Sequence, residues 1–248
     1  MCTLSWVYHG SNHYEVYFNR DEQRSRLPAL EPQRLVIDGI QCVMPIDPVG
    51  GGSWISTNEH GVTVCLLNYY QGQTPSGALV SRGMIIKRLA NSCSSQTVDS
   101  RLLAMDLSAF APFTVVSFDT RRTANETVLW TWDGHELSRS HACAPIVSAA
   151  LHFEEARDYR VELFSELMGT LSRDRFGRQF HQTHDDNYPH LSPLMKRNDA
   201  RTVSFTSVVV SSSKQEMNYQ SIDDNRNVDF QTHLSCQRND VVAQGVFK

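Results

Sequence analysis

The chain has 248 residues, 40% of them hydrophobic and 20% charged, and its 23 Lys+Arg against 27 Asp+Glu leave a net charge of −4. Such a composition supports a globular core and excludes disorder of the whole chain. The acidic balance argues against a nucleic-acid partner, which needs clustered cations, and no apolar run reaches the roughly 18 residues of a membrane span.

Residues 2–9 and 14–18 are predicted as two strands joined by the Gly10-Ser11-Asn12-His13 turn. The polar, Pro-containing stretch 19–34 reads as loop, and 35–45 as two short strands about Asp38-Gly39. Gly50-Gly51-Gly52 opens a flexible stretch of close backbone approach before Ser53-Trp54-Ile55-Ser56. A turn at Asn58-Glu59-His60-Gly61 leads into an apolar strand over 62–68, with Cys65 as a small buried hydrophobe. Helices follow at about 78–91 and 97–107. Strands are predicted at 113–118, 127–132, 136–140 and 144–149, with Asp133-Gly134 as a two-residue hairpin turn. The longest helix covers about 152–172, and its acid- and Arg-rich part at 154–162 reads as a solvated face. Residues 173–200 read as a long polar loop, 202–211 and 216–222 as strands, and the rest as a polar tail. Strands and helices come in runs, so the expected class is α+β, a layered sandwich in a single domain over 1–248.

The six cysteines (Cys2, Cys42, Cys65, Cys93, Cys143 and Cys236) form no C-x-x-C pair, and Met1-Cys2-Thr3-Leu4 has neither a basic n-region nor a long apolar run. Reduced thiols in a cytoplasmic protein without a secretory signal are the expectation. His181-Gln182-Thr183-His184-Asp185-Asp186 lacks a further ligand cluster, and the triple glycine has no phosphate-loop lysine. Neither a metal nor a cofactor is expected.

Three features carry chemistry. Removal of Met1 would leave Cys2 with a thiol and its own α-amine, whose unperturbed proton affinities are close enough for the amine to act as base. Asn19-Arg20-Asp21-Glu22 follows the second strand, and an antiparallel hairpin would bring Arg20 and Asp21 beside Cys2. There an arginine would favour the thiolate and an aspartate would orient the amine. Asn68 ends the strand over 62–68, where its amide could donate to an oxyanion. Each has a plainer alternative: an ordinary second residue, a solvated loop, and a turn cap.

Met-Cys-Thr-Leu, Asn-Arg-Asp-Glu, Gly-Gly-Ser-Trp and Asn-x-x-Gly-…-Leu-Leu-Asn over residues 1–72 resemble the NRDE family, which includes the transport and Golgi organization protein 2 homologues. That family in turn resembles the N-terminal-nucleophile hydrolases of the penicillin V acylase and bile salt hydrolase branch. The resemblance implies a four-layer αββα sandwich and an amidohydrolase acting on a non-peptide carbon–nitrogen bond of a small molecule. By resemblance Cys2 is the nucleophile, Arg20 and Asp21 the polar pair beside it, Asn68 the oxyanion asparagine and Arg201 a late arginine near the nucleophile. Asn19, Trp54 and Ser148 are expected to touch substrate. One position departs from the pattern: where the hydrolases carry another asparagine, this chain has Ile146-Val147-Ser148-Ala149-Ala150. The loss of such a donor costs about 10²–10³ in rate, and the alternative it opens is a binding or trafficking protein for haem or lipid on the same fold.

Overall fold

The alternation Leu4, Trp6, Tyr8 against Thr3, Ser5, Val7 gives the strand β1 (Cys2–Tyr8) two buried faces of different chemistry. In the computed structural model, which describes residues 2–10, 12–123 and 126–238, β1 pairs antiparallel with β2 (Tyr14–Gln23) from Tyr8↔Tyr14 to Cys2↔Arg20. The polar tetrapeptide at 19–22 is therefore strand rather than loop. The reason is its neighbour: β11 (Ala200–Val210) pairs along β2 from Val210↔Tyr14 to Ala200↔Gln23 and satisfies its backbone.

Two antiparallel sheets result. The first has the order β10 (Ile146–Ser148), β1, β2, β11, β12 (Lys214–Ile222), β13 (Val228–Gln237). The second runs β3 (Leu30–Ile37), β4 (Ile40–Ile46), β5 (Ile55–Asn58), β6 (Val62–Asn68), β7 (Phe113–Asp119), β8 (Val128–Trp132), β9 (Leu137–His141). Leu4, Trp6, Tyr14 and Phe18 of the first sheet pack against Ile55, Leu67 and Phe118 of the second and against Trp54 just before β5. Outside the second sheet lie α1 (Gly83–Leu89) and α2 (Ser95–Leu103), through Ile85, Ile86, Val98 and Leu102. Outside the first lie α3 (Phe153–Thr170) and α4 (Arg173–Gln182), whose Phe164, Phe176 and Phe180 cover Val7, Tyr17 and Phe205. These are the expected αββα layers.

Other local expectations change: residues 30–34 belong to β3 rather than to a loop, and α1 is shorter than expected. Residues 173–182 are helix α4, whose two large apolar side chains, Phe176 and Phe180, are buried among polar neighbours. Gly177 lets it close on β2, because a Cβ there would meet the Tyr17 ring at 2.3 Å. The polar tail contributes β13, held by its pairing with β12 rather than by its own hydrophobic pattern. The β8–β9 turn is longer than two residues, with Trp132 opposite Leu137. Finally, α2 begins at Ser95 because the Ser94 hydroxyl accepts a hydrogen bond from the Thr97 N–H at 3.0 Å. Among the described residues no helix is long and apolar enough to cross a membrane.

His181 of α4 is fully buried, with Nε2 2.8 Å from the Ser5 hydroxyl. Burial, reinforced by the nearby Arg160 cation, lowers its pKa from 6.5 to about 3. The folded state thus binds fewer protons than the unfolded one below pH 6.5. The stabilising contribution is complete above that value and is lost as pH falls towards 3, by about 1.4 kcal/mol per unit. Urea unfolding between pH 7 and 4 should show this slope, and His181→Gln should flatten it.

Candidate active site

Cys2 opens β1 with Arg20 opposite it on β2 and Ser148 opposite it on β10. Cys2, Arg20 and Trp54 share a cavity of about 550 Å³ between the sheets with Asn68, Tyr70, Arg26 and Arg82. The hairpin register thus brings Arg20 to the nucleophile candidate as the sequence suggested. The Arg20 guanidinium, 6% exposed, lies over the Trp54 ring at 4.5 Å and pairs with Glu22 at 3.1 Å. Arg26 reaches both Glu22, at 3.5 Å, and Asp47.

Asp21 and Asn19 alternate with Arg20 and engage the helix layer. Arg160 of α3, 0% exposed, donates to the Thr3 hydroxyl and to the Leu191 and Ser192 carbonyls, the latter two at 2.8 Å, and stands 3.8 Å from the Asp21 carboxylate. Thr202 donates to Asp21 Oδ1 at 2.6 Å, and Oδ2 has no hydrogen-bond partner among the described residues. Burial acts at both ends of the pair, raising the carboxyl of Asp21 and lowering the guanidinium of Arg160, while their mutual attraction opposes both shifts. The Asn19 amide donates to the His181 and Pro193 carbonyls at 2.8 Å each. It is fully buried and is spent on the scaffold, so the expectation that it touches substrate is corrected.

Asn68 ends β6 on the opposite wall, its amide donating to the Tyr70 hydroxyl at 2.9 Å. The Ser148 hydroxyl donates to the Asn68 carbonyl, which ties the two sheets together beside Cys2. Ser148 is therefore engaged with protein rather than facing the cavity as a replacement donor. Arg201 lies elsewhere. It lines an adjoining cavity of about 390 Å³, pairs with Asp224 at 2.8 Å and donates to the Thr202 and Ile222 carbonyls. Arg20, Glu22 and Arg26 border both cavities, so this wall, with the alternation of β11, keeps Arg201 away from Cys2.

The Cys2 thiol is half-buried, and burial raises its pKa above the ordinary thiol value despite the opposing influence of Arg20. The expected thiolate is therefore disfavoured at rest. Among the described residues His181 and His184 belong to no cluster of three metal-ligating groups: His181 contacts Ser5, and His184 contacts the Leu194 carbonyl, Asp186 and Arg226.

Two residues of the site escaped the sequence. Arg82 precedes α1 and enters the cavity because that helix docks tightly: a Cβ on Gly52 would lie 2.2 Å from the Gly83 carbonyl carbon, and the Ser53 N–H donates to the Gly83 carbonyl at 3.1 Å. No periodicity marks it. Arg160 had a usable signal, since Ala156, Arg160 and Phe164 recur every fourth residue and are the buried stripe of α3. The stretch 154–162 is thus not wholly a solvated face.

These layers, with Cys2 at the head of a central strand, define the class: an N-terminal-nucleophile-hydrolase-like α+β sandwich. By fold the chain is similar to the Caenorhabditis elegans N-acylethanolamine-hydrolyzing acid amidase ortholog, at 12% identity and a TM-score of 0.53 over 84% of this chain and 92% of that one. It is similar also to penicillin V acylase from Agrobacterium tumefaciens, at 10% identity and a TM-score of 0.51 over 91% and 87%. No curated protein matches it in sequence. The chain belongs to the Transport and Golgi organisation 2 family, whose sequence profile matches residues 1–221 and so extends a resemblance first read on residues 1–72.

The Arg160–Asp21 contact gives a stability prediction. Arg160→Met should destabilise the fold by about 3–5 kcal/mol in urea unfolding, because it strands a buried carboxylate. Adding Asp21→Asn should recover part of that loss.

Proposed function

We propose that the chain is an N-terminal-cysteine amidohydrolase that cleaves a non-peptide carbon–nitrogen bond of a small molecule. The observation that carries this reading is the placement of Cys2: first residue of a central strand, beside Arg20, at the wall of a cavity large enough for a small ligand. The fold shared with two amidohydrolases supports it. The mechanism requires loss of Met1, which lies outside the described residues.

With Met1 removed, the α-amine of Cys2 takes the thiol proton as sulfur attacks the amide carbon. In the chain that still carries Met1, burial raises the thiol pKa, and a base on the same residue is suited to such a thiol. Asp21 Oδ2, which stands 3.8 Å from Arg160 and has no hydrogen-bond partner among the described residues, is suited to receive the resulting ammonium. The oxyanion is held by backbone N–H groups and by Asn68, whose amide exchanges its Tyr70 partner for the intermediate. Collapse expels the amine, which takes the proton back from the ammonium, and water then hydrolyses the thioester. Arg201 orders Asp224 and the Ile222 carbonyl in the adjoining cavity rather than acting on Cys2.

Arg82 extends the reading to substrate charge. It lines the cavity, no carboxylate pairs with it among the described residues, and burial works against its cation. A substrate carrying a carboxylate or another anion would relieve that cost.

A second reading, ligand binding without turnover, draws on Ser148, which stands where the hydrolases have an asparagine and donates to Asn68. The charged lining suits a ligand with a polar head better than a wholly apolar one.

The decisive experiment is an amide panel on protein whose mass shows loss of Met1. Turnover should fall at least 10³-fold in Cys2→Ala, and alkylation mapped to Cys2 should abolish it. Processed protein that binds ligands but turns over no amide would establish the binding reading instead. Arg82→Gln should raise KM about tenfold or more for anionic amides and leave neutral ones nearly unchanged.

A further inference from the structure

We infer that His9, His13 and Glu15 form a zinc site at the tip of the first hairpin, remote from Cys2. The two histidines face each other across the β1–β2 connection, where the His9 N–H donates to the His13 carbonyl at 3.0 Å. His9 lies two residues beyond Val7, and His13 two before Glu15, while Val7 and Glu15 are themselves register partners. His9 and His13 lie just past the strand ends, and their ring atoms gather beside Glu15, which alternation puts with Val7 and Tyr17 on the face that α4 covers. One donor atom from each lies within 4.8 Å of the others, and all three residues are half-buried. Donors on one tetrahedral zinc are about 3.3 Å apart, so a small rotation of the side chains closes the set.

Two details point to a cation rather than a chance cluster. Nε2 of His9 is 3.1 Å from a Glu15 carboxylate oxygen yet makes no hydrogen bond, to it or to any other described atom, although it is buried. Without a metal the contact is an ion pair only if the imidazole is protonated, whereas a neutral imidazole and a carboxylate at this spacing can both ligate one cation. The other Glu15 oxygen accepts from the Tyr17 hydroxyl, and the Tyr17 ring packs against Gly177 and stacks on Phe205. Glu15 is thus oriented from outside the site, as metal-bound carboxylates are. Two imidazoles and one carboxylate are a zinc donor set that leaves the fourth position to water. His9 is seven residues along from Cys2, roughly 23 Å at the rise of a strand, so the site is independent of the proposed nucleophile.

The test titrates the Cys2→Ala protein with zinc and with cobalt(II), which removes the competing aminothiol of a processed N-terminus. One equivalent should bind, and the cobalt spectrum should lack thiolate charge transfer. His9→Ala, His13→Ala and Glu15→Gln should each weaken binding at least tenfold, and the rise in Tm that zinc produces should shrink with them. His13→Ala, at the hairpin tip, carries the test should His9→Ala fail to fold. Absence of binding at millimolar metal would overturn the site. So would a thiolate spectrum, or an affinity that both histidine substitutions leave unchanged.

Discussion

A guanidinium with no access to water, that of Arg160, joins three parts of the chain that are far apart in sequence: β1 through Thr3, β2 through Asp21, and the segment before β11 through the Leu191 and Ser192 carbonyls. A buried arginine is tolerable only when its donors are met, and here they are met by groups that no single element supplies. Asn19 acts beside it, since its amide holds the His181 and Pro193 carbonyls. Together these two side chains pin α4 and the irregular segment after it onto β2. Half of the charged tetrapeptide is thus a fastening, and its alternate member Arg20 is left to face the cavity.

The cavity inherits its electrostatics from this division. Arg20 is flattened on Trp54 and paired with Glu22, and Arg26 is shared between Glu22 and Asp47. The same residues form the wall between the two cavities and so separate Arg201 from Cys2. Opposite, the Ser148 hydroxyl on the Asn68 carbonyl fixes the distance between the sheets where Cys2 begins. The site is built from the ends of strands in both sheets, and neither sheet alone contains it.

Much of the fold was legible wherever a segment buries its own pattern. The alternation in β1, the apolar run of β6 and the long period of α3 each mark an element within a few residues. What was illegible is what neighbours stabilise. The end of β2 is charged and is strand because β11 pairs with it, α4 shows two apolar residues among ten, and β13 rests on β12. At the site, Cys2, Arg20 and Asn68 were legible because hairpin register and strand ends place them, whereas Arg82 enters on a helix docked through two glycines.

The sequence by itself determined that this is an α+β chain whose second residue, a cysteine, meets an arginine across the first hairpin, because register follows from alternation and turn position. Its motifs also determined the family. Only the tertiary structure decided which face each polar residue of the tetrapeptide serves, that Ser148 spans the sheets, and that Arg201 belongs to a different cavity. Those outcomes depend on contacts between elements from about twenty to more than a hundred and fifty residues apart, where burial and the need to satisfy every buried donor outweigh local preference.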